Sequence, residues 1–417
     1  MARDSDPLYL AVRAQTASAG DRVGEARALH YPSIGVTVAG NRVTNTIPYA
    51  QPPVSSEVDV GVGVSLQQTL YNRGNDLLIR QAEINNRASQ MTLSEAEEDL
   101  ILRVAQAYFD VLSATGALET VRANESAVGD QLYAAKRKYE VGESSITDSL
   151  EATSRHDLAT EQLSAAESEV NQRQIALTRI AGRAGIVPIP LTLPFAPPPL
   201  ATSNVGDWVR LAEQSSPALQ RAQAAWDVAK LETQRAHAAN WPTIVAKASI
   251  GRARSRYDFQ AAADYPAVSG SGAVENSQVG VAITFPLFSG FYIRNRVNET
   301  NSLEEKARYD YESALNEVRS STETALEIVE SGRRRLRSLE TAAQSSADAC
   351  EALRLGFKVG MNTNMEVLNA QTQLYLTRKN LVVARYGELR AILRLLRSTG
   401  QLKDTDVAQM DGLLRAD

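Results

Sequence analysis

Tyr139-Glu140-Val141-Gly142, followed by Ile146, Asp148, Leu150 and Ala152, returns 218 positions later as Phe357-Lys358-Val359-Gly360, followed by Asn364, Glu366, Leu368 and Ala370. Nearer each start, Asp6-Pro7 matches Ser216-Pro217, and Tyr31-Pro32-Ser33-Ile34 matches Trp241-Pro242-Thr243-Ile244, both at an offset of 210. A repeat this long means two copies of one unit rather than a row of solenoid modules. The first copy is expected over residues 1–182, with strands at about 33–45 and 57–70 and a long helical hairpin at 75–182. The second is expected over 207–400, with strands at about 243–257 and 277–288 and a hairpin at 292–400, leaving 401–417 as a C-terminal tail. Pro188, Pro190, Pro194, Pro197, Pro198 and Pro199 crowd residues 183–206, which read as an extended connector between the copies.

The helical half of each copy rests on periodicity. Tyr311, Leu315, Val318, Thr322, Ala325, Val329, Gly332, Leu336, Leu339, Ala343, Ser346, Cys350, Leu353 and Phe357 form one unbroken register of alternating three- and four-residue steps. Leu100, Val104, Ala107, Val111, Ala114, Leu118, Val121, Glu125, Val128, Leu132, Ala135 and Tyr139 form another. A sustained period of about 3.5 residues is a coiled-coil signature. A helix of about 65 residues would be roughly 100 Å long and must pack on similar helices. Gly142 and Gly360 stop the long helices, because glycine enters the left-handed conformation at little cost. New helices are expected at about Ile146 to Ala181 and Met365 to Ser398, with Thr147-Asp148 as a start signal.

The strand half rests on period two. Val58, Val60, Val62, Val64 and Leu66 alternate with Asp59, Gly61, Gly63, Ser65 and Gln67. Ile34, Val36 and Val38, then Ile244, Ala246, Ala248 and Ile250, then Val279, Val281, Ile283 and Phe285 repeat the pattern. Such strands have one apolar and one wet side. Residues 45–56 and 258–276 read as exposed hairpin loops. Four strands cannot close a barrel, and left open they would expose two edges and an apolar face. Either the sheet packs on something, as in a soluble domain, or several chains lend strands to one barrel with lipid outside and a polar lumen. The pattern alone leaves both open.

Composition narrows the function. The net charge of −5 gives no case for a nucleic-acid partner. No run of about 18 apolar residues exists, so no transmembrane helix is expected. Cys350 is the only cysteine, which excludes an intramolecular disulfide and a cysteine-based zinc site. Met1-Ala-Arg-Asp lacks an apolar signal core, so either the protein is cytosolic or a signal peptide has been removed. His30, His156 and His237 are scattered and read as packing or capping residues. Gly61 and Gly63 lie inside an alternating strand, so a phosphate loop is not indicated. Glu97-Glu98 and Glu304-Glu305 lie on long helices as solvated charge. No cofactor and no enzymatic activity are expected.

Leu102-Arg103-Val104-Ala105-Gln106-Ala107-Tyr108-Phe109-Asp110-Val111-Leu112 resembles the opening of the long helix in the TolC family of outer-membrane efflux ducts. So do Tyr139-Glu140-Val141-Gly142 with Ile146-Thr147-Asp148, the stretch Phe357 to Ala370, and Phe285-Pro286-Leu287-Phe288-Ser289-Gly290. The resemblance implies a mainly α fold with a membrane β-barrel portion, internally duplicated, assembled as a TolC-like α-barrel/β-barrel homotrimer. Such a trimer lies in the bacterial outer membrane, extends into the periplasm, and meets outer-membrane lipid. It implies an exported substrate, protein or small molecule, delivered by a periplasmic adaptor and an inner-membrane ABC or proton-driven pump. It also implies a periplasmic gate: Thr147 and Asp148 at the first hairpin tip, and Phe357, Asn362, Glu366 and Asn369 at the second. The family pattern has an arginine at the position of Asn362 and aspartates at those of Glu366 and Asn369. A salt-bridge latch through Asn362 is therefore not expected. One acidic layer, from Glu366, should replace two and weaken divalent-cation block. A competing reading, a non-channel periplasmic coiled-coil adaptor or structural spacer, explains the hairpins but not the matched amphipathic strands.

Overall fold

The computed structural model describes residues 2–46, 54–202, 204–259 and 266–412. In chain order the elements are α1 (Ala2–Ser5), α2 (Pro7–Ala28), β1 (Ser33–Thr46), β2 (Val54–Tyr71), α3 (Arg73–Glu140), α4 (Ile146–Ala181) and α5 (Val205–Ser215). Then come α6 (Pro217–Ala238), β3 (Thr243–Phe259), β4 (Val268–Thr284), α7 (Tyr292–Lys358), α8 (Asn364–Ser398) and α9 (Asp404–Asp411). Two compact units share these elements. One comprises Met1–Thr16, Gln90–Ala222 and Tyr311–Asp417; the other comprises Ala17–Ser89 and Gln223–Asp310.

In the first unit the long helices bury the stripe that their period specifies. Every residue of the α7 register from Tyr311 to Phe357 is buried or half-buried. The α3 register behaves likewise from Leu100 to Ala135, and only Tyr139 is exposed. The main core gathers Leu102, Phe109 and Leu112 of α3, Leu326, Val329 and Leu336 of α7, and Leu389, Leu393 and Leu395 of α8. Trp208 of α5 and Met410 of α9 close it, so a helix occupies part of the expected tail. The proline-rich connector packs here as well. Phe195 is buried in this core, the Ile189 N–H donates to the Tyr108 hydroxyl at 2.9 Å, and the Leu191 N–H to that of Tyr386 at 3.4 Å. Inside the core, the Glu388 carboxylate accepts from Arg333 Nε at 2.9 Å, and burial pushes its pKa up.

The second unit holds the sheet, a four-stranded antiparallel array in the order β1-β2-β3-β4. The central pair joins strands from the two halves of the sequence: Val64 faces Ile250, and Gly63 faces Gly251. The strands are 14, 18, 17 and 17 residues long, longer than the alternation suggests. Ladder hydrogen bonds continue through Ser, Asn and Gly positions after the apolar alternation fades, so much of the expected loops 45–56 and 258–276 is strand. Residues 47–53 and 260–265 of those loops lie outside the described residues, and Pro266 and Ala267 precede β4 without strand pairing. At the other end β4 stops at Thr284 rather than 288, because Pro286 has no N–H to donate to a ladder.

Below the sheet, a polar network ties the helical segments of this unit together. Gln81 Nε2 donates to Glu232 at 3.0 Å, Arg235 Nε to the same carboxylate at 2.8 Å, and Arg296 at 2.6 Å. Burial would raise the Glu232 pKa, but the hydrogen bonds from Arg235, Gln81 and Arg296 outweigh it and hold it at about 2. Among the described residues, no helix is long and apolar enough to cross a membrane.

Candidate functional site

The hairpin tips are built twice by the same local chemistry. Gly142 and Gly360 both have φ of +79°. Behind them, the Glu143 N–H reaches the Lys138 carbonyl at 2.8 Å and the Met361 N–H reaches the Gly356 carbonyl at 2.9 Å. These bonds across five residues close each long helix in a Schellman turn. The next helix opens with a capping box. In α4, Ser145 Oγ accepts from the Thr147 N–H at 3.0 Å, and Asp148 accepts from the Ser145 N–H at 3.3 Å. In α8, Thr363 Oγ1 accepts from the Glu366 N–H at 3.3 Å, and Glu366 accepts from the Thr363 N–H at 2.8 Å. Asp148 and Glu366, 218 positions apart, thus hold the same third-residue place in their helices.

Thr147, Asp148, Glu366 and Asn369 are exposed, while Phe357 and Asn362 are half-buried. Asn362 Nδ2 donates to Glu366 at 3.3 Å, within its own hairpin. The Thr363 N–H first, then the Asn362 amide, hold the Glu366 carboxyl below the usual carboxylate range. Two contacts tie the hairpins together at this end. Arg155 of α4 donates to Asn369 Oδ1 of α8 at 3.0 Å, and the Lys138 ammonium of α3 sits 4.2 Å from the centre of the Phe357 ring of α7. Among the described residues, no hydrogen bond or ion pair joins Thr147 or Asp148 to the second-hairpin group. Among those residues, too, no group of three or more His, Cys, Asp or Glu could hold a metal ion.

The sheet supplies the second feature. Ile34, Val36 and Val38 are 69%, 69% and 75% exposed, and Val279, Val281 and Ile283 are 87%, 62% and 68%. Register puts these on one face with Val60, Val62, Val64, Leu66, Ala248 and Ile250. The band runs obliquely, ending at Val38 on β1 but starting lower, at Ile283, on β4, as tilted barrel strands require. The opposite face is small, and closely packed along the central strand pair. A Cβ added at Gly61 would lie 3.1 Å from Ala253, and one at Gly251 would lie 3.4 Å from Gly63. Close packing at the central glycines and exposure on the valine face suit a sheet that curves with its apolar side outward. At the strand–helix margin stand exposed Tyr31, Trp241, Phe285, Phe288, Phe291 and Tyr292, the residue types that favour a membrane interface.

The sequence profile described as "Outer membrane efflux protein" matches residues 1–183 and 208–401. The chain belongs to this family. It is 30% identical over 424 residues to the outer membrane protein TolC of Vibrio cholerae, covering 99% of this chain and 92% of that relative. It is 27% identical over 350 residues to the alkaline protease secretion protein AprF of Pseudomonas aeruginosa, covering 82% and 70%. Its fold matches the crystal structure of the outer membrane protein VceC of Vibrio cholerae with a TM-score of 0.79 at 16% identity, over 96% of this chain and 94% of that one.

As an outer membrane efflux protein, the chain resides in the outer membrane and reaches into the periplasm, and its family is one of channels rather than enzymes. The adaptor or spacer reading is not favoured, since it leaves the membrane family and the outward apolar sheet unexplained. Sequence reasoning missed Arg155 and Lys138 at the tips. Both were within reach. Glu151 is the counterpart of Asn369 at the 218-residue offset, and Arg155 is one turn beyond it. Lys138 precedes Tyr139, the counterpart of Phe357.

Proposed function

We propose that three copies of the chain form one channel. Each lends four strands to a barrel of about 12, and the long hairpins continue it as a periplasmic tunnel. One observation carries this reading: among the described residues, the sheet has an exposed apolar face and two unpaired edge strands, β1 and β4. Lipid satisfies the face, and only another copy satisfies the edges. The family match at 1–183 and 208–401 supports reading the chain as two copies of one unit, so the closed barrel would hold pseudo-sixfold symmetry. Substrate, protein or small molecule, passes from an adaptor and an inner-membrane ABC or proton-driven pump to the exterior, and the pump supplies the energy.

The gate is proposed at Thr147, Asp148, Phe357, Asn362, Glu366 and Asn369. Repeated by threefold symmetry, Glu366 makes one ring of carboxylates, which favours cations at a constriction. Opening swings the α7–α8 tip outward and breaks the Arg155–Asn369 and Lys138–Phe357 contacts. Purified protein in a planar bilayer should give a uniform unitary conductance, partly blocked by divalent cations. A protein that inserts and never conducts overturns the channel reading.

A further inference from the structure

The outward face of the sheet changes character toward its loop end. Three successive rows there read Val38-Val62-Arg252-Glu275, Gly40-Val60-Arg254-Ala273 and Arg42-Val58-Arg256-Ser271. Arg42, Arg252, Arg254 and Arg256 are all exposed. Among the described residues, the acidic groups on the same face are Glu275, 3.6 Å from Arg252, and Asp258 in the next row. Four guanidinium groups therefore face two carboxylates, and Arg42, Arg254 and Arg256 carry no ion pair among the described residues. Their β4 neighbours Ala273 and Ser271 are too small to cover them.

An arginine facing hydrocarbon is costly at the bilayer midplane and nearly free at its edge. The cluster begins where the apolar band ends, and its stems lie beside Val58, Val60 and Val62, which is how long cationic side chains reach toward headgroups. The aromatic residues mark the opposite, helix-side margin. Since the helices lie in the periplasm, the arginines meet the outer leaflet. Guanidinium binds phosphate through paired N–H donors.

We propose that Arg42, Arg252, Arg254 and Arg256 form a binding site for the phosphate groups of an anionic lipid of the outer leaflet, one site on each protomer. The site rests on the barrel reading above. Successive same-face positions on β3 are about 7 Å apart, so one phosphate bridges two guanidinium groups and the row engages more than one phosphate of a headgroup. The bound lipid fixes the barrel's depth and seals its rim.

The test is native mass spectrometry of the full-length protein, released from micelles containing either bisphosphorylated lipid A or the same lipid with its phosphates removed. Wild type should retain the phosphorylated form preferentially. R252Q/R254Q/R256Q should lose that preference, by about fivefold for each arginine removed, while keeping its subunit count and conductance. Excess inorganic phosphate should not displace the lipid. Equal retention of both lipids, or an unchanged preference in the triple variant, overturns the proposal. Complete displacement by inorganic phosphate would reduce the site to a simple anion site and overturns the lipid assignment. A sample that neither assembles nor conducts marks failure of the barrel reading instead.

Discussion

Glu366 has one observed role and one proposed role. Its carboxylate caps α8 through the Thr363 N–H, and it is proposed to face the channel axis. Glu366→Gln keeps an acceptor for the cap and removes the charge, so helix α8 should stay formed while divalent block of the bilayer conductance weakens; unchanged block removes Glu366 from the gate. Because its hydrogen bonds depress its pKa, block should persist into acid below the range where an ordinary glutamate is protonated. Arg155→Ala removes the 3.0 Å link to Asn369. An exposed contact of this kind contributes less than about 1 kcal/mol, so the melting temperature should barely move while the open probability rises. Ser145 to Asp148 and Thr363 to Glu366 follow capping-box spacing, yet only Thr147-Asp148 was read as a start signal, and the caps themselves, Ser145 and Thr363, were not named. Arg155 was harder to find, because nothing local distinguishes it from other surface arginines; only superposing the two repeats brings it within reach. Glu98 offers a pH test in the helical unit. Burial, with Glu95 and Glu97 adding to it and Arg397 opposing, raises its pKa to about 7. A raised carboxylate contributes stability below its unfolded pKa of about 4.5 and loses it as pH rises through about 7. Glu98→Gln should therefore raise the melting temperature at pH above 7 and leave it unchanged in acid.

Elements whose burial follows one period were read closely. α4 begins at Ile146 and ends at Ala181 as the pattern indicates, and α8 begins one residue earlier than expected, at Asn364. α2 and α6 went unread because neither 22-residue run shows a strong apolar stripe, although Asp6-Pro7 and Ser216-Pro217 carry the cap and first-turn proline that announce a helix. α5 begins at Val205, inside the stretch taken for connector, because its tryptophan fills the core that the connector crosses. Strand length was underestimated because polar ladder positions outside the hydrocarbon leave no hydropathy trace. The tips permit a clean element-scale test. A Cβ at Gly360 meets nothing within 4 Å, so Gly360→Ala strains only the left-handed backbone, by about 1 kcal/mol. Hydrogen exchange should accelerate at residues 361–368 and stay unchanged at the first tip. In the sheet-bearing unit, Glu232→Ala leaves Arg235 without its carboxylate, while Arg296 keeps Glu299 at 2.9 Å, and should destabilise by about 1–2 kcal/mol. Since Glu232 titrates at about 2 when folded, below its ordinary value of 4.5, its contribution holds above pH of about 4.5 and fades as pH falls toward 2.

At the scale of the molecule, the sheet decides the architecture. In the proposed reading, a sheet with its apolar face outward, its central glycines closely packed and both edges bare among the described residues is stable only in lipid and beside other copies of itself. Membership of the outer membrane efflux protein family agrees with that need; the number of copies is the article of the proposal most open to direct test. In a Cys350→Ser background, single cysteines placed along β1 at 34–38 and along β4 at 279–283 can be paired, oxidised in the membrane and run on a denaturing gel. The account predicts disulfide ladders that stop at three chains for the pairs in register. Chains that stay monomeric across the whole scan, with both edges protected from labelling, would contradict it.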